Sequence, residues 1–330
     1  MATLKDIAKL AHVNESTVSR ALNNSIYVHP STKKRILEAA EKLSYNPQTL
    51  RKVIERGKTK TIGIIVPNLQ YNIFMDFVQN AEKDANAIDY KIIIGISDDD
   101  AEKEADLLER MRYGLVDGIL IAGTGENNHL LEDIQISGVP IVQIFRNVNK
   151  NLDSVSVNYK QSIQIAIENL RKNGAKNIGL INGYAKDQSY QEKLLAYKQI
   201  TKQLHMTPVY KCLNEYPKSY NKSGYDLASE LFTDCPSLDA LLVANDVQSL
   251  GVMQYLKANK YKVPEKVKVV SLAGCSASSF SQTQVSATIF PIKSISMRSL
   301  SLLISRIENL EDLPVQHQAL NTEFMSRMTC

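Results

Sequence analysis

From Thr61 onward the sequence alternates short apolar runs with amphipathic stretches, and this alternation restricts the fold more than any other feature. Strand-like runs fall at 61–66, 91–96, 118–122, 140–144, 154–157, 177–181, 238–243 and 267–272. Helical periodicity fills most of the intervals, for example 74–87, 101–113, 159–173 and 191–204. Strands with continuous apolar runs and helical connections belong to parallel sheets covered on both faces. About ten such units are too many for one small sheet, so two similar lobes are expected.

Residues 3–44 read differently, as three short helices. Thr3 and Asp6 form a capping-box-like pair, followed by the apolar positions Leu4, Ile7, Ala8, Leu10 and Ala11. A tight turn at His12-Val13 precedes Asn14, a good N-cap for a helix from Glu15 to Leu22 with Val18, Ala21 and Leu22 turned inward. Asn23, Asn24 and Ser25 break the pattern. A third helix is predicted from Pro30, at home in a first helical position, to Leu43, burying Ile36, Leu37, Ala40 and Leu43.

Charge separates the same two parts. Residues 1–60 hold 12 Lys and Arg against 5 Asp and Glu, a net +7. Of the totals of 39 and 35, that leaves 27 basic and 30 acidic residues, a net −3, on the remainder. A basic head on a mildly acidic body implies a phosphate-binding module joined to a part that does not bind polyanions. The apolar fraction is 44%, and no apolar run is long enough to span a membrane. The opening residues lack the apolar core of a signal peptide, so a cytoplasmic location is expected. Cys212, Cys235, Cys275 and Cys330 fit no metal or redox spacing, and reduced thiols are expected.

The stretch from Leu4 to Asn23, with its core Thr17-Val18-Ser19-Arg20, closely resembles the DNA-binding head of the lac-repressor family. The similarity continues through Tyr45-Asn46-Pro47, the run from Thr59 to Pro67, Asn245-Asp246, Val269-Val270 and Arg327–Cys330, and so covers nearly the whole chain. It implies an α/β chain with an N-terminal three-helix helix-turn-helix head and a two-lobed, periplasmic-binding-protein-like body with parallel sheets. The expected divisions are a head at 1–47, a hinge at 48–60 and an effector-binding, dimerising body at 61–330. Within the body, lobe 1 is expected at about 61–158 and 289–317, and lobe 2 at about 159–288 and 318–330.

In a helix-turn-helix the second helix enters the major groove. Here it offers Glu15, Ser16, Ser19 and Arg20. Arg20 suits a guanine edge. Glu15 either accepts from a cytosine amino group or is a solvent-facing first-turn acid favoured by the helix dipole. Thr17 and Asn23 suit phosphates, and Leu4, His29, Thr32 and Tyr45 complete the surface that the resemblance assigns to DNA. In the hinge, Gln48, Arg51 and Ile54 are DNA-binding candidates, with Ile54 at the position that wedges into the minor groove. Arg51, where the family commonly has Ala, either adds a minor-groove contact or crowds paired hinges. His12 replaces a usual turn glycine, and His is among the residues that tolerate the left-handed region.

For the body, the resemblance places a small carbohydrate or sugar-phosphate effector between the lobes. The candidates are Tyr71, Asn72, Phe74, Phe145, Arg146, Lys193, Tyr220, Asn245, Asp246 and Ala273, with Tyr216 as a further stacking residue. Phe145 and Ala273 stand where the family often has aspartates, and Lys193 where it often has an arginine. These departures imply a less negative cleft and a larger, more apolar or anionic effector, such as a glycoside or sugar phosphate.

Enzyme signals are weak. Gly57-Lys58-Thr59 lacks the upstream glycine of a phosphate loop, and Gly123-Thr124-Gly125 is too short for a dinucleotide fingerprint. His129, His205 and His317 are isolated in sequence. No catalytic residue, metal or cofactor is expected. The resulting expectation is a homodimeric repressor of carbohydrate-related genes that binds an inverted-repeat operator in double-stranded DNA under allosteric effector control. The alternatives are a co-repressed or partner-dependent regulator of the same fold, or a sugar-binding transport protein.

Overall fold

A computed structural model describes residues 4–22, 28–42, 58–69, 72–113, 115–274, 284–308 and 314–330. The head contains α1 (Leu4–Ala11), α2 (Glu15–Leu22) and α3 (Pro30–Lys42). Their shared core is Ile7, Ala8, Ala11, Val18, Ala21, Ile36, Ala39 and Ala40. So many alanines leave little side-chain bulk between the axes. Leu10, expected inward, is 44% exposed. Ile7, Ala8 and Ala11 already fill the buried stripe of the two-turn α1, which leaves Leu10 on its flank. Leu37 is only partly buried, and Leu43 lies outside the described residues. His12 has φ 50°, in the left-handed region that His tolerates better than most residues.

The first lobe is a sheet of β1 (Thr61–Val66), β2 (Lys91–Ile96), β3 (Gly118–Ile121), β4 (Ile141–Phe145), β5 (Asp153–Val157) and β11 (His317–Leu320). Its order is β11-β5-β4-β3-β1-β2, with every pair parallel. Period-two alternation sorts the side chains to two faces. Ile62, Ile64, Leu120, Val142 and Val155 pack on one face under α4 (Asn72–Asn86) and α11 (Ile292–Ile307), anchored by Phe77 and Leu303. Ile65, Ile119, Ile121 and Ile141 pack on the other, under α5 (Ala101–Arg112) and α6 (Asn128–Ile136). Cover is incomplete at the edge: Ile94 and Ile96 of β2 are more than two-fifths exposed.

The second lobe repeats the plan with β6 (Ile178–Tyr184), β7 (Val209–Leu213), β8 (Ala240–Val243), β9 (Lys268–Gly274), β10 (Ser286–Ile289) and β12 (Glu323–Met325). The order is β12-β10-β9-β8-β6-β7, parallel except for the antiparallel edge strand β12. The helices α7 (Tyr159–Lys172) and α8 (Gln188–Gln203) cover one face. The other is covered by α9 (Tyr220–Asp234) and α10 (Asp246–Ala258).

The chain passes between the sheets three times: between β5 and α7, between β10 and α11, and between β11 and β12. The last passage follows Leu320, a few residues beyond the expected edge at 317, because β11 pairs with β5 of the first sheet. Two passages are bonded together: Asn158 Nδ2 donates to Asn321 Oδ1 at 3.0 Å, and Gln161 exchanges hydrogen bonds with Thr322. Both sheets thus present their carboxyl ends to the space between the lobes, the usual ligand side of parallel sheets.

Candidate functional site

In the head, burial of Val18 and Ala21 fixes the rotation of α2 and turns Glu15, Ser16 and Arg20 to the exposed side, with Ser19 half-buried beside them. Thr17 is also half-buried. Asn14 occupies the N-cap position, its carbonyl accepting from Thr17 and Val18 N–H. His29 caps α3: its carbonyl accepts from Thr32 and Lys33 N–H, its Nδ1 lies 2.8 Å from Ser31 Oγ, and Ser31 N–H donates to that nitrogen at 3.4 Å. Thr32 follows in the first turn of α3, and Leu4 opens α1. Lys5, Lys9, Lys34 and Arg35 add exposed positive charge. Asn23, Tyr45, Gln48, Arg51 and Ile54 lie outside the described residues.

Between the lobes is a cleft of about 510 Å³, counting the part open to solvent. Phe74, Phe145, Arg146, Lys193, Tyr220, Asn245, Asp246 and Ala273 line it together. Asn72 stands at its edge, its Nδ2 donating to Asp246 Oδ2 at 3.1 Å. Tyr71 lies outside the described residues.

Arg146 organises the polar part. It follows Phe145, whose φ of 61° is strained for a bulky side chain and ends β4 in a sharp bend. The Tyr159 hydroxyl holds that bend by donating to the Phe145 carbonyl at 2.9 Å. Arg146 Nη1 and Nη2 donate to the two oxygens of Asp99 at 2.5 and 2.8 Å, and Nη2 also donates to Asp187 Oδ2 at 2.5 Å. Asp99 belongs to the first lobe, after β2, where Asp98 and Asp99 both take left-handed backbone (φ 54°). Asp187 is the N-cap of α8 in the second lobe, its other oxygen accepting from Ser189 N–H and Oγ. All three side chains are buried. Burial opposes charge on the guanidinium, yet Asp187 and Asp99 hold its pKa well above the ordinary arginine value.

Beside this triad is Lys193, 4% exposed. Its ammonium donates to the Ala244 carbonyl at 3.1 Å and lies 4.8, 5.2 and 6.0 Å from the ring centroids of Tyr190, Tyr159 and Phe290. Burial pushes its pKa down to about 8, against the opposing pull of Asp187. The aromatic wall continues with Phe74, edge-on to Phe145 at 5.4 Å, and with Tyr220, against which Tyr216 packs edge-on at 5.9 Å without itself lining the cleft. Tyr216 also accepts from Asn68 Nδ2 across the lobes at 2.9 Å.

One expectation needs correcting. The cleft is not depleted of carboxylates: Asp99, Asp187 and Asp246 all line it. They reach it from a loop and from helix N-termini, positions away from those that Phe145 and Ala273 occupy. Asn245 lines the cleft, but its amide is engaged structurally, accepting from Gln248 N–H at 2.9 Å as the cap of α10 and donating to Gln248 Oε1 at 2.8 Å. Ile73, Asp99, Tyr159, Asp187, Ser189, Tyr190 and Phe290 are lining residues that sequence reasoning missed. The Ser/Asp pattern at the start of the α8 helical run was the available signal for Asp187; the others carry none.

Elsewhere, Thr59 N–H and Oγ1 and Lys60 N–H donate to the Asp117 carboxylate, so this stretch is a strand lead-in and not a phosphate loop. Among the described residues no group of three or more His, Cys, Asp or Glu stands together as a metal site, and no helix is long and apolar enough to cross a membrane. Cys212, Cys235 and Cys330 are unpaired.

Residues 59–316 match the periplasmic binding proteins and sugar-binding domain of the LacI family, and residues 3–48 match the bacterial regulatory proteins of the lacI family. The chain is 30% identical over 336 residues to the probable HTH-type transcriptional repressor ExuR of Bacillus subtilis (strain 168), covering 99% of this chain and 98% of the relative. It is 30% identical over 319 residues to the sucrose operon repressor of Pediococcus pentosaceus, covering 93% and 92%. Its fold is that of the lac repressor dimer bound to operator and the anti-inducer ONPF, at a TM-score of 0.75 and 18% identity over 99% of this chain and 98% of that one.

Proposed function

The chain belongs to the LacI family of bacterial regulatory proteins, and on that premise we propose that it represses carbohydrate-related genes from an operator that it leaves when a small sugar-like effector enters the cleft. The observation that carries this reading is the pairing of a basic helix-turn-helix head with a cleft that joins aromatic walls to carboxylates and two cations. Aspartates accept from sugar hydroxyls, aromatic faces stack on sugar rings, and such mixed linings define small-molecule sites. The relatives are transcriptional regulators, and no enzymatic role is proposed.

Arg146 and its two aspartates tie the lobes together across the cleft. An effector that competes for any of these groups shifts the relation between the lobes. In a dimer that shift changes the spacing of the two hinges, and a coupling of about 1–3 kcal/mol is enough for appreciable release. The exposed Ile94 and Ile96 on edge strand β2 support pairing of two copies, because an uncovered apolar edge invites a partner. Two symmetric heads then read an inverted repeat. Arg20 and Ser16 read bases, Ile54 wedges the minor groove, and the protein works in the cytoplasm. DNase protection of the promoter of its own gene tests the DNA half: a two-fold footprint with enhanced cleavage at its centre supports it, and protection without sequence preference counts against it.

A further inference from the structure

Five charged side chains line the cleft, and Lys193 differs from the rest. Arg146 is paired with Asp99 and Asp187. Asp246 accepts from Asn72 Nδ2 and from Val247 N–H. Lys193 is just as buried, yet among the described residues it forms no ion pair and makes one hydrogen bond, to the Ala244 carbonyl. An ammonium carries three donors, so two have no described protein acceptor. A buried charge without a partner is costly, and the surrounding rings offset only part of that cost.

The missing acceptor comes from the cleft side, because Lys193 lines the cleft and the rings of Tyr159, Tyr190 and Phe290 surround it otherwise. A neutral hydroxyl satisfies a donor but adds nothing to the attraction of Asp187 and Glu192, which does not offset the burial of the ammonium. One negative group answers both needs, with two oxygens for two donors. A phosphate monoester dianion meets about twice the repulsion that a carboxylate meets from the three aspartates, which already outnumber the two cations, and Arg146 is engaged. Resting on the sugar-effector reading above, we propose that the effector is an acidic sugar whose single carboxylate seats on the Lys193 ammonium.

Titration calorimetry of the full-length protein tests this, with D-glucuronate, D-galacturonate and D-gluconate set against D-glucose, D-galactose and D-glucose 6-phosphate. One acidic sugar is expected to bind about tenfold or more tighter than its neutral counterpart, the difference between a charge-assisted and a neutral hydrogen bond. Lys193→Gln should abolish that preference and Lys193→Arg should retain it, with thermal unfolding confirming that each variant is folded. If neither variant folds, the wild-type preference decides alone. Equal binding of acidic and neutral sugars, a preference that survives in Lys193→Gln, or tighter binding of the phosphate each overturns the carboxylate assignment and leaves the sugar-effector reading standing. Binding of no sugar, acidic or neutral, overturns both.

Discussion

Arg146 Nη2 lies 2.5 Å from Asp187 Oδ2, and this contact joins the carboxyl end of a strand in one lobe to the N-cap of a helix in the other. With Asp99 on the second face of the guanidinium, one buried cation holds two buried anions. Removing the cation strands both carboxylates. Arg146→Ala is therefore expected to cost about 3–5 kcal/mol of stability, measured by urea unfolding. A loss under about 1 kcal/mol would mean that the triad is solvated and contributes little.

Asp187→Asn separates the two jobs of that residue. Asn keeps an oxygen for Ser189 N–H, as capping requires, but removes the charge facing Arg146. The expected outcome is a folded protein with looser lobes, seen as faster hydrogen exchange at residues 146–149 and 187–190. Exchange identical to wild type would show that Asp187 acts only as a cap.

Lys193 gives a pH signature. Its folded pKa, lowered to about 8 by burial, lies below the ordinary lysine value of the unfolded chain. Below pH 8 both states hold the proton and the buried charge counts against folding. Between pH 8 and 10 the unfolded chain binds more protons, so stability contributed by this group rises with pH. The unfolding free energy of wild type minus that of Lys193→Met should increase over that interval by on the order of 2 kcal/mol. A flat difference would place the ammonium in contact with water.

Gly251 on α10 packs directly on α9: a Cβ there would sit 1.8 Å from the Asn221 carbonyl oxygen. The clash is with backbone, which cannot swing aside. Gly251→Ala should destabilise by about 1–3 kcal/mol or more, read from thermal unfolding, with the second lobe losing protection first. A neutral substitution would mean that the two helices separate easily.

Arg20→Ala should weaken binding to the operator by about 1–3 kcal/mol and relax the preference at one base pair in each half-site. Binding of operator variants by gel shift reads this directly. Uniform weakening across all sequences would instead assign Arg20 to phosphates.

Much of this fold was legible because its strands are apolar runs: β1, buried almost throughout, and β2, a partly covered edge, fall on the expected residues, 61–66 and 91–96. The strands that escaped are short or polar edges, such as His317–Leu320 and Glu323–Met325, which pairing holds in place and hydrophobicity does not. In the cleft, residues at strand ends such as Phe145 and Arg146 were readable by resemblance. Asp99 and Asp187 were not, since each arrives from the far side of a loop or cap and meets Arg146 only in three dimensions. Leu10 shows the same limit in the head, where a two-turn helix has room for few inward positions.

Linkage between the cleft and the head is read by fluorescence anisotropy of the full-length protein on its own promoter DNA. Titration with sugars, acidic and neutral, should release the DNA with one compound, and Arg146→Ala should alter the concentration needed. Tighter DNA binding on adding a sugar, or no response to any compound that calorimetry shows to bind, would contradict release by an effector in the cleft.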